Sequence, residues 1–425
     1  MTIPQSTIPG VANTSGCDVQ LRAVPYPYRA MLAICSDLDE TPDRQVYELI
    51  ARFLNTTDTT PMGEGVGLEV GNTIYFDMPN DQFAYWNTDD AGRELARALI
   101  RSGHIDCLHS YGDLATTREH AGRALDELAR HDCQLEVWID HGTAVTNFDP
   151  DIMHGHGDEV GHEAYHADLT TDYGIKYVWR GRVTSVLGQD VPARLASIWN
   201  SGHPVASGQT WLKEWTKRQL ARVGNTKYAM HGPNETLRAT ILRDDNPVHE
   251  FMRCNPHWGG VSSCDQGRHI GKVVTREMLA RLVERGGTCV LYTHLGKIDD
   301  PCVPFNEDAA AAFRRLAEEY DAGRILVTTT RRLLGYRRAV TEGRLNCIAN
   351  ETGETICLST EGSQGLDGEL SAADLAGLTF YVPHPERTRV TVGDSEIENL
   401  TCNPPDDTGR ASVSLPWSKL EFPTI

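Results

Sequence analysis

The segment 105–113 reads IDCLHSYGD and gives the clearest indication of how this chain folds. Its first five residues are mostly apolar, as in a short buried strand, and its last four are polar or glycine. Three residues later, Thr116-x-x-Glu119 has the pattern of a capping box, which begins an amphipathic helix. Strand, polar turn and helix in this order form the repeating unit of an α/β protein.

The same order recurs from about Tyr28 to Arg332. Further helices are predicted to begin at Thr41-Pro42, with proline at the first helical position, and after Asn306, a good capping residue. The predicted strands are Ala30–Cys35, Gly67–Val70, Ile105–His109, Leu135–Ile139, Ile175–Trp179, Cys289–Thr293 and Ile325–Thr328. Repeated strand–helix units imply parallel strands joined by crossovers, so we expect an α/β fold with a (β/α)7-type distorted barrel.

The character of the sequence changes after about Ala339. Short alternating segments separated by Gly, Asn, Asp and Pro, with a hairpin turn at 351–354, predict a small C-terminal antiparallel β domain. The expected organisation is therefore an N-terminal extension (1–27), a barrel domain (28–338) and a β domain (339–425). Two long, less regular inserts, 149–172 and 200–271, interrupt the barrel pattern, and loops of such length are often functional.

Charge and hydropathy exclude several classes of partner. The formal net charge of -19 disfavours nucleic acid and anionic membranes, because both would be repelled. No apolar run approaches the roughly 20 residues that cross a bilayer, and residues 1–16 lack the features of a signal peptide. We therefore expect a cytoplasmic protein that acts on a small molecule or an oligosaccharide, with its oligomeric state left open.

Polar residues follow four of the predicted strands, at the ends where parallel sheets bind ligands. They are Asp37 and Asp39, His109 and Asp113, Asp140 and His141, and His294. Carboxylates and imidazoles are ligands for a divalent metal ion, and a second carboxylate beside the ion can act as a base. An imidazole on the opposite wall, such as His294, could protonate a leaving group.

Three candidate residues, Asp140, His141 and Arg180, have two interpretations each. Asp140 and His141 could contact the substrate or support a metal ligand from behind. Arg180 follows the strand that ends at Trp179 and could hold an acidic substrate group through paired hydrogen bonds, or it could form an internal salt bridge. We assign all three to substrate binding at this stage.

The segment 103–113, GHIDCLHSYGD, is similar to the second motif of polysaccharide deacetylases of the NodB-homology type, G-H-x-x-x-x-H-[S/T]-x-x-H. The segment 37–39, DLD, resembles the D-x-D form of that family's first motif, and 290–294, VLYTH, resembles its last. The resemblance implies Asp37 as general base, Asp39 and His109 as metal ligands and His294 as general acid. Asp113 stands where the family has its second ligating histidine, and the family's R-x-P-x-G motif is absent.

The resemblance implies a metal-dependent hydrolase that removes an acyl group, such as acetyl, from an amino sugar or a carbohydrate conjugate. The expected cofactor is one divalent ion held by Asp39, His109 and Asp113, with Zn²⁺ favoured and Mn²⁺, Ni²⁺, Co²⁺ or Fe²⁺ compatible. One alternative is a glycoside hydrolase on a related barrel that uses Asp37 and Asp140 as its two carboxylates. Another is a carbohydrate-binding protein without catalytic activity.

Overall fold

A computed structural model describes residues 18–350, 353–359 and 369–424. The chain divides into two compact units, which differ from the predicted domains at their boundaries. The larger unit comprises residues 31–331 and the described residues from Leu420 onwards, and it contains every predicted site residue. The smaller unit comprises 332–419 and the described residues up to Ala30.

The strands are short, and most of the longer ones are buried. In chain order they are β1 (Gln20–Leu21), β2 (Ala30–Ser36), β3 (Thr59–Thr60), β4 (Gly63–Glu64), β5 (Gly71–Ile74), β6 (Ile105–His109), β7 (Val137–Ile139), β8 (Tyr177–Trp179), β9 (Val183–Thr184), β10 (Leu237–Ile241), β11 (Pro247–Phe251), β12 (Arg253–Cys254), β13 (Thr288–Thr293), β14 (Ile325–Thr328), β15 (Arg344–Asn350), β16 (Gly353–Ser359), β17 (Thr379–Tyr381), β18 (Arg389–Val392), β19 (Ser395–Glu396), β20 (Thr401–Asn403) and β21 (Ser412–Ser414).

Helices connect most of the strands of the larger unit. The α-helices are α1 (Arg44–Asn55), α2 (Asp90–Arg101), α3 (Arg118–Arg130), α4 (Ala167–Tyr173), α5 (Pro204–Arg222), α6 (Arg276–Arg285), α7 (Glu307–Asp321), α8 (Thr330–Glu342) and α9 (Ala372–Leu375). Short 3₁₀ helices cover Leu195–Ile198, Thr226–His231, Gly267–Lys272 and Pro385–Arg387. None of the helices in the described residues has both the length and the apolar character that a membrane span requires.

The larger unit is built on one sheet of eleven strands that curls into a half-barrel. Its order is β10-β11-β8-β7-β6-β5-β2-β13-β12-β9, and β14 also pairs with β2. The pairs from β11 to β9 are parallel, and only β10 runs antiparallel to its neighbour among the pairs along this path. The α/β fold class is therefore confirmed, and the parallel strands bring their carboxyl ends to one edge.

Local sequence explains why the helices begin where they do. Helix α1 begins two residues later than the Thr41-Pro42 pattern predicts, because the side chain of Asp43 accepts a hydrogen bond from the Val46 amide. The capping box of α3 is formed by Thr117 and His120, one residue further along than predicted. Asn306 caps α7 as expected, through the Ala309 amide.

The region 200–271 is more regular than the sequence analysis predicts. It contains helix α5 and strands β10, β11 and β12, of which β12 lies inside the main sheet. Strand β12 is only two residues long, too short to leave a periodic pattern. Strand β5 also begins at Gly71, just after the segment 67–70 that we predicted as a strand.

The smaller unit has two four-stranded sheets, β1-β17-β21-β20 and β15-β16-β18-β19. The first is antiparallel throughout, as predicted, but β16 and β18 of the second run parallel. Its strand β1 comes from the predicted extension 1–27, whose remainder before residue 18 lies outside the described residues. Part of the predicted turn at 351–354 also lies outside them, although β15 and β16 pair as a hairpin would.

Candidate metal centre

Asp39, His109 and His141 converge at the carboxyl edge of the main sheet. The Nε2 atom of His109 lies 3.3 Å from Oδ2 of Asp39 and 3.0 Å from Nδ1 of His141. Nδ1 of His141 lies 3.3 Å from Oδ1 of Asp39. One potential ligand atom from each residue thus falls within 4.8 Å of the others, the arrangement expected of a group that could hold a metal ion.

Three different strands position these side chains. His109 is the last residue of β6, His141 follows β7, and Asp39 follows β2. The turn after β6 requires Gly112, whose φ is +100° and where a Cβ atom would lie 2.3 Å from the carbonyl oxygen of Asp77. The glycine of the segment 105–113 therefore permits the sharp turn that follows His109.

Asp113 lies behind His141 rather than among the converging atoms. Its Oδ1 is 3.1 Å from Nε2 of His141, and nearly half of its side chain is exposed. On the other ring, Nδ1 of His109 is 3.4 Å from the carbonyl oxygen of Ile139. If each of these outer nitrogens carries the proton, Nδ1 of His141 and Nε2 of His109 present lone pairs to the centre.

Asp37 is held on the other side of Asp39 by a buried arginine. The two guanidinium NH groups of Arg253 each lie 2.6 Å from one carboxylate oxygen of Asp37, a bidentate ion pair. The guanidinium lies against the rings of Trp179 and Tyr292, 3.8 and 4.3 Å from their centroids. Both partners are almost completely buried, so the orientation of Asp37 is fixed.

His294 is oriented by a carboxylate of its own. Its Nδ1 lies 2.8 Å from Oδ2 of Asp265, and its backbone amide donates to the Asp265 carbonyl oxygen. The other ring nitrogen, Nε2, lies 3.8 Å from Oδ2 of Asp37 and 3.7 Å from Oδ2 of Asp39. His294 therefore faces both aspartates, and its role as an acid remains a prediction.

Burial and neighbouring charges shift the pKa values of these groups in different directions. Burial raises the pKa of Asp37 well above its usual range, although Arg253 opposes this shift. Burial also lowers the pKa of His109 to about 4, so its ring stays neutral near pH 7. Burial alone would raise the pKa of Asp39, but the histidines around it, His109 first, lower it instead. An ionised Asp39 and a neutral His109 are the states that bind a metal ion.

Among the residues that the structure describes, two groups of side chains could hold a divalent ion, and they share Asp39. The first is Asp39, His109 and His141, and the second is Asp37, Asp39 and His294. Arg253 already supplies a cation to both oxygens of Asp37, which disfavours a second cation in that group. The first group contains no such cation, and its donors, two imidazoles and a carboxylate, suit Zn²⁺ or Fe²⁺.

Asp140 and Arg180 contact other parts of the protein. The carboxylate of Asp140 accepts hydrogen bonds from Trp138 Nε1 and from the amides of Phe148 and Asp149, and the residue is fully buried. Arg180 forms a buried ion pair, 3.1 Å long, with Glu250. These contacts match the supporting and salt-bridge interpretations of the two residues. Their assignment to substrate binding remains a prediction.

Sequence reasoning missed Arg253 and Asp265. Both lie in the region predicted as an irregular insert, and neither belongs to a recognisable motif. The only signal in the sequence was that each residue carries a charge. The chain has 99 acidic or basic residues, so a single charged residue does not identify a functional position. No protein-family model, curated protein or solved structure matches this chain.

Proposed function

We propose that this chain is a metal-dependent hydrolase that cleaves the amide bond of an acylated amino sugar or carbohydrate conjugate. The proposed ligands of its single divalent ion are Asp39, His109 and His141. The observation that carries the proposal is the convergence of these three donors beside an ion-paired, buried Asp37. We also propose that the half-barrel is a distorted (β/α)7-type barrel of the polysaccharide-deacetylase kind.

The donor set fits a catalytic metal site. Each ring nitrogen that faces away from the centre has an acceptor, Asp113 for His141 and the Ile139 carbonyl for His109. Three protein ligands leave coordination positions for water and substrate. A divalent ion bound there would polarise the acyl carbonyl and lower the pKa of a nearby water. We expect Zn²⁺, with Mn²⁺, Ni²⁺, Co²⁺ or Fe²⁺ as other possibilities.

The protein's own residues would then move the protons. Asp37, which Arg253 holds in a bidentate ion pair, accepts the proton of the water that attacks the acyl carbon. Nε2 of His294 faces the same region and donates a proton to the departing amine nitrogen. The C–N bond breaks and a carboxylic acid and an amine are formed, so the atoms balance. Arg253 and Asp265 keep the base and the acid in position.

The glycoside hydrolase alternative is less compatible with the geometry. It needs two carboxylates flanking a glycosidic bond, and Asp140 was the second candidate. Both oxygens of Asp140 are engaged by hydrogen bonds in the protein interior, and the residue has no exposed surface. Asp37 is also buried, but its carboxylate lies 3.8 Å from Nε2 of His294, whereas Asp140 is bonded to Trp138 and to the amides of Phe148 and Asp149.

The test is an assay for acetate and free amine released from N-acetylated amino-sugar oligomers. We expect turnover that disappears with a strong chelator and returns with added Zn²⁺. Turnover that persists through chelation would contradict the proposal. So would sugar binding without release of acetate by the metal-loaded protein, because that is the behaviour of the non-catalytic alternative.

A further inference from the structure

One cavity in the described part of the chain is lined by no residue of the proposed mechanism. Its volume is about 300 Å³, and helix α5, Ser185 and the segment 259–263 form its walls. We call it the lysine pocket, after Lys213 and Lys217 of α5. These are two of only seven lysines in a chain whose net charge is -19. A local excess of positive charge therefore distinguishes this pocket from the chain as a whole.

The lysine pocket has three charged side chains, two lysines and one glutamate, so one positive charge is not balanced within it. Lys217 lies 2.7 Å from Glu214 and donates to the carbonyl oxygen of Val183. Glu214 is buried and also accepts from Thr184. Burial would raise its pKa, but His231 and Lys217 lower it to about 2, so Glu214 stays ionised. Lys213 has no ion-pair partner in the described part of the chain, and its ammonium group is available to a ligand.

The pocket also has uncharged hydrogen-bond donors, in the segment 259–263 and in Ser185. The segment 259–263 reads GGVSS, and Gly260 has a φ of +103°, which bends the backbone. Within the described residues, the amides of Val261 and Ser262 have no hydrogen-bond partner, and neither has the hydroxyl of Ser185. Free amides in such a bend, together with hydroxyls and an ammonium group, are the donors that bind tetrahedral oxyanions.

The loop that forms this wall also joins two residues of the site. It begins after Arg253, which pairs with Asp37, and ends at Asp265, which pairs with His294. Ser185 belongs to the same edge of the sheet, because β9 and β12 are paired and the Asn255 amide donates to the Thr184 carbonyl oxygen. The pocket and the site are therefore connected by a short, continuous segment of chain.

We propose that the lysine pocket binds a phosphate or sulfate group, contacted by Lys213, the amides of Val261 and Ser262 and the hydroxyl of Ser185. The group is either part of an anionic substrate or a free ion. Binding does not require the proposed hydrolase activity, so the two proposals can fail separately.

The test is calorimetric titration of the full-length protein with inorganic phosphate at constant ionic strength. The protein is first treated with a chelator, so that phosphate cannot bind a metal ion at the site. We expect saturable binding by the wild type and an affinity lower by about tenfold or more in Lys213→Ala. Lys213→Arg should retain most of the affinity. The control is Lys272→Ala, another exposed lysine that lines a different cavity, and its affinity should equal that of the wild type.

Two results would overturn the proposal: no saturable binding by the wild type, or equal losses in Lys213→Ala and Lys272→Ala. If binding is confirmed, turnover distinguishes the two sources of the anion. A phosphorylated N-acetyl amino sugar should show a higher KM with Lys213→Ala if the substrate carries the group. If the ion is free, phosphate should change turnover of the unphosphorylated sugar in the wild type and not in the variant.

Discussion

The two sides of the polar centre use similar residues but differ in their source of positive charge. On one side, which we call the metal side, Asp39 faces His109 and His141, and Asp113 contacts His141 from behind. No lysine or arginine forms an ion pair with Asp39 among the described residues. Its negative charge is balanced only by histidines, of which His109 is neutral near pH 7.

On the other side, which we call the arginine side, the positive charge is built in. Arg253 pairs with both oxygens of Asp37, and Asp265 contacts His294. The arginine is fully buried against two aromatic rings and cannot exchange with a solvent ion. This difference underlies the proposed function, in which the metal side binds a cation and the arginine side transfers protons.

The largest expected effect is the loss of the base on the arginine side. Asp37→Asn should lower turnover by about 10²- to 10⁴-fold, because an amide cannot accept the proton of the attacking water. The amount of bound metal should not change. Both are measured on the same purified protein, by acetate release and by elemental analysis. Unchanged turnover would remove Asp37 from the mechanism, and loss of the metal would mean that Asp37 belongs to the metal side.

The two carboxylates behind the histidines provide a matched pair of variants. Asp113→Asn should weaken metal affinity by about 10- to 100-fold, because the proton on His141 Nε2 loses its charged acceptor. Turnover at saturating metal should stay close to that of the wild type. Asp265→Asn should lower turnover by about 10- to 100-fold and leave metal affinity unchanged.

A competitive titration with a chromogenic chelator measures the affinity of each variant. The comparison between the two sides is wrong if both variants reduce metal affinity to the same extent. The comparison is also wrong if metal affinity falls in Asp265→Asn but not in Asp113→Asn.

A smaller expected effect is on the pH dependence of stability, and it involves His166, which contacts the loop that carries His141. His166 is buried, and its ring bonds to the Thr146 carbonyl oxygen and the Thr170 hydroxyl. Burial lowers its pKa to about 4, whereas the unfolded chain binds this proton near pH 6.5. The stabilising contribution is therefore complete above pH 6.5 and is lost as the pH falls towards 4. Because of His166, we expect the free energy of unfolding to decrease by about 2 kcal/mol when the pH is lowered from 7 to 5.

Denaturant unfolding of the chelator-treated protein at several pH values measures this dependence. His166→Asn should have a shallower slope, because the variant lacks the titrating group. His109 shifts in the same direction, so part of the slope should remain. Equal slopes in the wild type and the variant would show that His166 does not contribute.

Sequence reasoning found the parts of the site that follow long, apolar strands. His109, Asp37 and His294 each come at or directly after a buried strand, where the pattern of hydrophobic residues is strong. The α/β class followed from the same pattern. These features are local, so a single sequence contains the information needed to predict them.

The pairing of side chains across strands could not be predicted in this way. Asp113 and His141 both follow strands, but the backbone turns decide which of them faces the other potential ligands. Arg253 lies on a strand of two residues, and its partner Asp37 is 216 residues away in the chain. Distances of this kind depend on the curvature of the whole sheet rather than on local pattern.

The most direct test of the metal side is elemental analysis of protein purified under metal-replete conditions. We predict one equivalent of a divalent ion in the wild type and in Asp37→Asn. We predict a large loss in Asp39→Ala, His109→Ala and His141→Ala, each checked for folding by circular dichroism. Equally little metal in the wild type and in these three variants would contradict the assignment, as would full metal content in His141→Ala together with its loss in Asp113→Ala.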